Sequence, residues 1–483
     1  MSNKENNEHH LLRIIVEFDE NIDIISFSLV CKRWFDHRDK YLYFNTKLFS
    51  RLHNSSLQDT DNKCFLLNSY RNAFSKSIDQ ISDCTLFIKK EDSEEYELYT
   101  DYTKTLDEFK SSVLDPAIST VLFEDEMDLD ADTIEKLRRS NVHTIQYMYE
   151  EFRRFPFKNK LQLPSNIKTI ITQSDLDRSI YPEQLESLDI TTNQDTIDVS
   201  VLPRSLKHLA VYGLSNTNED FKVIPPNLET FQFKIQHINA LVDSFMFPST
   251  LKVVAIPIEW LKNIKNSHSI HKLSLHAVNH YEVIEAGDIP ESVTHLTING
   301  KSVASLEIHR NQLPSKLRYL KLMNSASFDR DSFASLEHLE TLDLSKLYNS
   351  KDIATVTYPN NLKNLYLPNS IDETSVVFPP SLELLSAIGM NYSLIPKSIT
   401  HLDFNRIPPK LVSSDIVKPN VRLITFIKHL ISKIPPTVNT ITLKELYDDE
   451  NIQYKARRLS DRSFLLLGNN QTEIVASIYY LNP

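Results

Sequence analysis

The sequence predicts an α/β chain in which a short N-terminal helical segment precedes a solenoid of short parallel strands. Three observations predict it. A ten-residue phrase recurs from about residue 164 to residue 443. Inside each copy, apolar residues alternate with polar ones at the period of a strand. From Leu11 to Trp34 the apolar spacing is helical instead.

The clearest copy of the phrase is LPSKLRYLKL, from Leu313 to Leu322. Others begin at Tyr181, Leu202, Ile289, Tyr358 and Ile395. In general an apolar residue precedes Pro, and apolar residues follow at the third, sixth and eighth positions after it. Pro182, Pro203, Pro225 and Pro248 are 21, 22 and 23 residues apart. A repeat of that length with a fixed apolar pattern marks a solenoid. Leu188-Asp189-Ile190 and Leu320-Lys321-Leu322 are strand segments with one face inward. Proline fixes φ and has no N–H, so it belongs just before the strand and not within it. Copies without Pro keep the pattern at Ile270, Leu273, Leu275 and at Leu339, Leu342, Leu344. A degenerate copy lies at Val142, Ile145 and Tyr147, and weak ones follow Pro408 and Pro419. The count is about twelve units, each too small to bury its apolar side alone.

The apolar-x-x-apolar-x-apolar core resembles that of leucine-rich repeats. The lead-in resembles the FNIP-type repeats of social amoebae. The resemblance implies a parallel sheet over residues 139–444. Residues 445–483 then form a C-terminal cap. Within it SFLLL (Ser463–Leu467) and EIVASIYYL (Glu473–Leu481) flank a Gly-Asn-Asn turn and read as a hairpin.

Residues 1–8 read as a disordered leader. Leu11, Ile14, Ile15 and Phe18 share one helix face, and Ile22, Ile25 and Leu29 continue the spacing to Val30 and Trp34. This is more apolar surface than so short a segment buries internally, which suits a partner interface. SLVCKRW (Ser28–Trp34) resembles the most recognisable part of the F-box, although the Leu-Pro opening usual in that family is replaced by Glu8-His9-His10-Leu11. The resemblance covers residues 9–48. It implies docking on a Skp-type adaptor of a cullin complex, through Leu11, Leu12, Ile15, Phe18, Ile25, Leu29, Val30 and Trp34. The alternative is a helical cap on a plain scaffold. Residues 49–138 form a linker and N-terminal cap, with a strand at CTLFIK (Cys84–Lys89). Asp128-x-Asp130-x-Asp132 lacks the Gly and Glu of a calcium loop and reads as an acidic helix start.

Composition excludes several classes. The net charge of −11 opposes nucleic-acid binding. Three cysteines without a C-x-x-C spacing fit a reducing compartment, so a cytoplasmic or nuclear location is expected. No membrane partner is expected, since neither a signal peptide nor a spanning run is present. The five glycines are scattered, which excludes phosphate-cradling loops. With no nucleophile-base motif, no enzyme activity, metal or cofactor is expected.

A ligand is expected on the strand residues between the buried ones, at the fifth, seventh and ninth positions after Pro. These form the inner, concave surface of a leucine-rich array. Tyr319, Lys321, Met323 and Tyr366 are the first candidate hot spot for an unknown target protein. His208, Tyr212 and Lys234 are the second.

Overall fold

The structure, a computed structural model, describes residues 21–29, 32–42, 68–70, 72–73, 84–89, 102–124, 129–148, 161–172, 180–192, 202–216, 224–238, 247–277, 284–300, 306–324, 326–348, 353, 355–368, 376–387, 395–404, 421–427, 436–444, 453–461, 463–469 and 474–480.

Three short helices come first: α1 (Asn21–Ser28), α2 (Lys32–Asp36) and α3 (Arg38–Tyr41). Then follow β1 (Cys84–Lys89), β2 (Tyr102–Thr105), α4 (Leu106–Ser111), β3 (Ile118–Glu124), α5 (Ala131–Arg138) and β4 (Thr144–Met148). Repeats supply β5 (Thr169–Thr172), β6 (Ser187–Thr192), β7 (His208–Asn216), β8 (Thr230–Ile238), β9 (Val253–Pro257), β10 (Lys272–His276) and β11 (His295–Asn299). They continue through β12 (Leu306–Ile308), β13 (Tyr319–Asn324), β14 (Ala326–Phe328), β15 (Thr341–Leu347), β16 (Asn364–Tyr366) and β17 (Leu384–Ser386). The last are β18 (His401–Phe404), β19 (Leu423–Ile427), β20 (Thr440–Lys444), β21 (Gln453–Arg458), β22 (Ser463–Asn469) and β23 (Ile474–Tyr480).

The chain divides into two compact units. The larger holds Phe87–Ser93 and Lys104–Ile399; the other holds Met1–Leu86, Glu94–Thr103 and Thr400–Pro483. The second unit thus combines residues from either side of the first.

In the larger unit, strands from β3 to β17 form one parallel ladder, with β12 and β14 paired separately. The ladder extends beyond the earliest copy of the phrase, since β3 pairs with β4. Its register aligns the phrase with itself. Leu188, Leu209, Phe231 and Val254 are successive partners, as are Leu273, Leu296, Leu320, Leu342, Leu365 and Leu385. These sixth-position residues and the third-position Leu185, Leu206, Leu228, Leu251, Ile270, Val293, Leu317, Leu339, Leu362 and Leu382 are buried. Where the column turns aromatic, Phe233 stacks on Trp260 at 4.7 Å.

The turn explains the proline. The third-position N–H donates to the proline carbonyl, for example Leu185 to Pro182 at 3.1 Å and Val293 to Pro290 at 3.0 Å. Two further contacts lock each unit to the one before. The fourth- and fifth-position N–H groups share the fourth-position carbonyl of the preceding unit, as Lys207 and His208 do with Glu186 at 2.8 and 3.0 Å. A hydroxyl at the second position donates to the preceding third-position carbonyl: Ser205 to Leu185, Thr250 to Leu228, Ser292 to Ile270 and Ser381 to Leu362, all at 2.6–2.7 Å. Buried carbonyls are satisfied this way without a strand partner.

At the start of the larger unit, α4 carries a capping box between Thr105 and Glu108. Asp130 caps α5, accepting from the Thr133 N–H at 2.9 Å. The acidic run is therefore a helix start, as its sequence indicates.

In the smaller unit, β18–β19–β20 are parallel and β20–β21–β22–β23 antiparallel. The expected terminal hairpin is β22–β23, with Gly468 and Asn469 inside β22 and not in the turn. Helix α1 packs on β21 and β22, and its Ile22 and Ile25 are buried. Beside it Ser28 shares a hydrogen bond with Tyr70, and Arg38 sits 4.3 Å from the Phe35 ring.

Candidate functional site: the exposed face of the strand ladder

Strand alternation sets this face. With sixth- and eighth-position residues inward, the fifth, seventh and ninth point to the opposite side. The register lines them up across strands. Lys272, His295, Tyr319, Thr341 and Asn364 form one row, and Ser274, Thr297, Lys321, Asp343 and Tyr366 the next.

The first candidate group is partly assembled. Tyr319, Lys321 and Met323 lie along β13, each half-buried. Lys321 Nζ is 2.8 Å from Asp343 on β15, so its charge is already paired. Asp343 in turn accepts from the N–H and hydroxyl of Ser345 at 3.0 and 2.6 Å. That turn accompanies a shift in register after Lys321, which sets Met323 opposite Lys346 and not Ser345. Tyr366 is opposite Asp343 on β16, two strand spacings or about 10 Å from Lys321. Tyr319 stacks on His295 at 5.9 Å, with rings 20° apart. Burial and the nearby Asp343 carboxylate push the Tyr319 phenol up.

The second group divides. Lys234 lies 5.4 Å from the Tyr212 ring centre, and Tyr212 donates to Gln232 at 3.4 Å. His208 is four residues before Tyr212 on the same strand, about 13 Å along it. It lies instead beside Glu186 and Glu229, whose carboxyl groups are held low chiefly by Lys207 and by Lys252 respectively.

Two neighbours of Lys234 were not among the sequence candidates. Burial raises the Asp189 carboxyl, with Lys234 opposing. Burial and then Lys234 push the His276 imidazole down to about 4, and its Nε2 has no hydrogen-bond partner among the described residues. Both residues occupy outward positions of the repeat, which was the available signal. What sequence could not give was their partial burial.

Beside the strand starts, fourth-position residues form a ladder of exposed charge. Glu186 is 3.9 Å from Lys168 and 2.7 Å from Lys207; Lys252 is 2.7 Å from Glu229. Further on, Glu340 is 2.6 Å from Arg318 and 4.0 Å from Lys363.

Of the proposed adaptor contacts, Leu11, Leu12, Ile15, Phe18 and Val30 lie outside the described residues. Ile25 is fully buried and holds α1 to its own unit. Leu29 is 41% exposed at the end of α1, and Trp34 is half-buried on α2. Leu29 is the most exposed of these three.

The sheet, the repeated turn and the buried columns make a leucine-rich-repeat-type solenoid. No family model matches the chain. A 142-residue stretch, 29% of this chain, is 27% identical to the disease resistance protein RRS1 of Arabidopsis thaliana. The chain spans 10% of the length of that relative. Among solved structures it is similar to the circular leucine-rich-repeat protein CroV588, at 15% identity and a TM-score of 0.37, covering 70% of this chain and 55% of that one. It is also similar to TLR13 in its complex with ssRNA13, at 12% identity and a TM-score of 0.42, covering 75% of this chain and 60% of that one. The functional domain of InlJ from Listeria monocytogenes is similar over 73% of this chain and 88% of its own, at 12% identity and a TM-score of 0.27. Among the described residues there is no group of side chains suited to a metal, and no helix is long and apolar enough to cross a membrane.

Proposed function

We propose that the protein is a non-enzymatic receptor that holds a target protein on the exposed face of its strand ladder. The observation that carries this reading is the face itself. Ten aligned strands, β6 to β11 with β13 and β15 to β17, present outward residues that the fold does not need for its core. They include Tyr319, Tyr366, Met323 and the Tyr212–Lys234 pair, the residue types that anchor protein interfaces.

The likeness of Ser28–Trp34 to the F-box supports a finer reading. The N-terminal segment engages a Skp-type adaptor of a cullin-based ubiquitin ligase, and the ladder recruits the substrate in the cytoplasm or nucleus. Tethering raises the effective concentration of the substrate near the conjugating enzyme. The exposed Leu29 is the described residue that favours such docking.

Two measurements test these levels separately. A photo-cross-linking residue at Lys321 should capture the target, and one at the exposed Lys265 on the return segment should not. Equal capture at both positions sinks the receptor reading. Purified Skp adaptor should be retained by the intact protein and lost with Leu29→Asp, whose exposed site leaves the fold intact. No retention by the intact protein leaves a plain interaction scaffold.

A further inference from the structure

The charge ladder beside the strand starts is interrupted. From Lys168 to Lys252 each fourth-position residue alternates in sign with the next, and the alternation resumes from Arg318 to Lys363. Between them the column holds His271 and Thr294, and the adjoining fifth-position row holds Lys272 and His295. No carboxylate lies within ion-pair distance of Lys272, His271 or His295 among the described residues, and all three are exposed. In the two flanking stretches, Lys168 to Lys252 and Arg318 to Lys363, each cation of the column has its Glu. Here, in a chain of net charge −11, two imidazoles and an ammonium stand together without one.

The local geometry is that of an anion site. Lys272 and His295 are direct partners in the β10–β11 register, and Tyr319 follows in the same row. Tyr319 stacks on the His295 ring and holds it in place. Thr294 Oγ1 lies 3.0 Å from His295 Nδ1, and Nε2 has no partner among the described residues. The His295 imidazole is held below its ordinary range by partial burial and by the positive charges of Lys272, Arg318 and His271. Arg318 from the β13 lead-in is itself paired with Glu340, so it narrows the site without completing it.

We propose that His271, Lys272 and His295 form a docking site for an acidic peptide segment of a protein partner, with its carboxylates across the starts of β10 and β11. This rests on the receptor reading above and supplies the chemistry of the target. The charges that meet there oppose one another in the free protein, and a carboxylate relieves that opposition. A polynucleotide is disfavoured, because the flanking Glu229 and Glu340 would repel its continuous charge.

The sign of the pH dependence follows. In the free protein His295 is pushed toward its neutral form by partial desolvation, then by the charges of Lys272, Arg318 and His271. A bound carboxylate raises that affinity for protons, so binding takes up a proton and strengthens as pH falls through the imidazole range.

The test is fluorescence anisotropy of the full chain with labelled hexaglutamate, hexaglutamine and a single-stranded RNA hexamer. Hexaglutamate should bind about tenfold more tightly than hexaglutamine and weaken between about 50 and about 500 mM salt. Lys272→Glu should cost about tenfold and Lys272→Gln less, since both change an exposed side chain and leave the core intact. Lowering the pH from about 8 to about 6 should tighten binding to the native protein and do so less in His295→Gln. The proposal is overturned if hexaglutamate binds no better than hexaglutamine, if Lys272→Glu leaves it unchanged, or if the RNA binds more tightly. Capture of a target at Lys321 with no hexaglutamate binding removes this inference alone. Failure of both removes the receptor reading as well.

Discussion

An interior repeat and the last repeat of the chain solve the same problem with different chemistry. In the ladder, the third-position carbonyl of one unit is met by a hydroxyl of the next, as Ile270 is by Ser292 at 2.7 Å. The last copy of the phrase, Ile434–Leu443, has no following repeat. Its third-position carbonyl, Val438, instead accepts from Arg458 Nε at 2.7 Å, and its fourth-position carbonyl, Asn439, from the Arg458 N–H at 2.8 Å. One arginine on an antiparallel strand thus replaces the lead-in of a missing unit. Its guanidinium also covers the buried Phe464 ring, at 4.4 Å. The basic string Arg457-Arg458-Leu459-Ser460, which in sequence resembles a kinase site, is here part of an end cap. The difference teaches that a solenoid terminates by imitating its own next repeat, because the unmet groups are the same at every interface.

Three substitutions sharpen that comparison, in descending order of effect. Leu320→Ala removes a fully buried side chain of the central column. It should cost about 2–5 kcal/mol in denaturant unfolding. Its hydrogen-exchange losses should centre on β11, β13 and β15 and spare β21 and β22. Uniform loss through both units would show that the units do not respond separately. Arg458→Ala leaves the Val438 carbonyl without that donor and uncovers Phe464, at about 1–3 kcal/mol. Exchange should rise in β20 and β21 first. Full recovery in Arg458→Lys would mean that charge alone matters and the fork geometry does not. Ser292→Ala removes one interior hydroxyl lock and should cost about 1 kcal/mol. A cost as large as that of Arg458→Ala would erase the distinction between interior and end.

The ladder was legible because each repeat is specified within ten residues. Pro, a third-position apolar residue and two alternating ones define a local turn and strand, and stacking follows from equal spacing. Even the Lys321–Asp343 pair is implied by their shared seventh position. The copy after Pro419 shows the limit, since it is one residue short and Val421 takes the buried third position. The packing of α1 on β21 and β22 was not legible, because it joins residues more than 400 positions apart and apolar spacing names no partner. The same ignorance made Ile25 look like a free contact. The register shift at Met323 and the split of His208 from Tyr212 depend on backbone geometry and strand length, which the repeat pattern does not encode.

The packing of α1 on strands from the far side of the ladder has a consequence for synthesis. Helix α1 is made before the repeats, and β21 and β22 after them. While the repeats are being made Ile22 and Ile25 lack the surface that buries them, whereas the repeats can stack as they emerge. The apolar face of α1 is therefore sheltered only once β21 and β22 have followed, so a chain cut between the ladder and β21 would carry stacked repeats beside an unsheltered apolar helix.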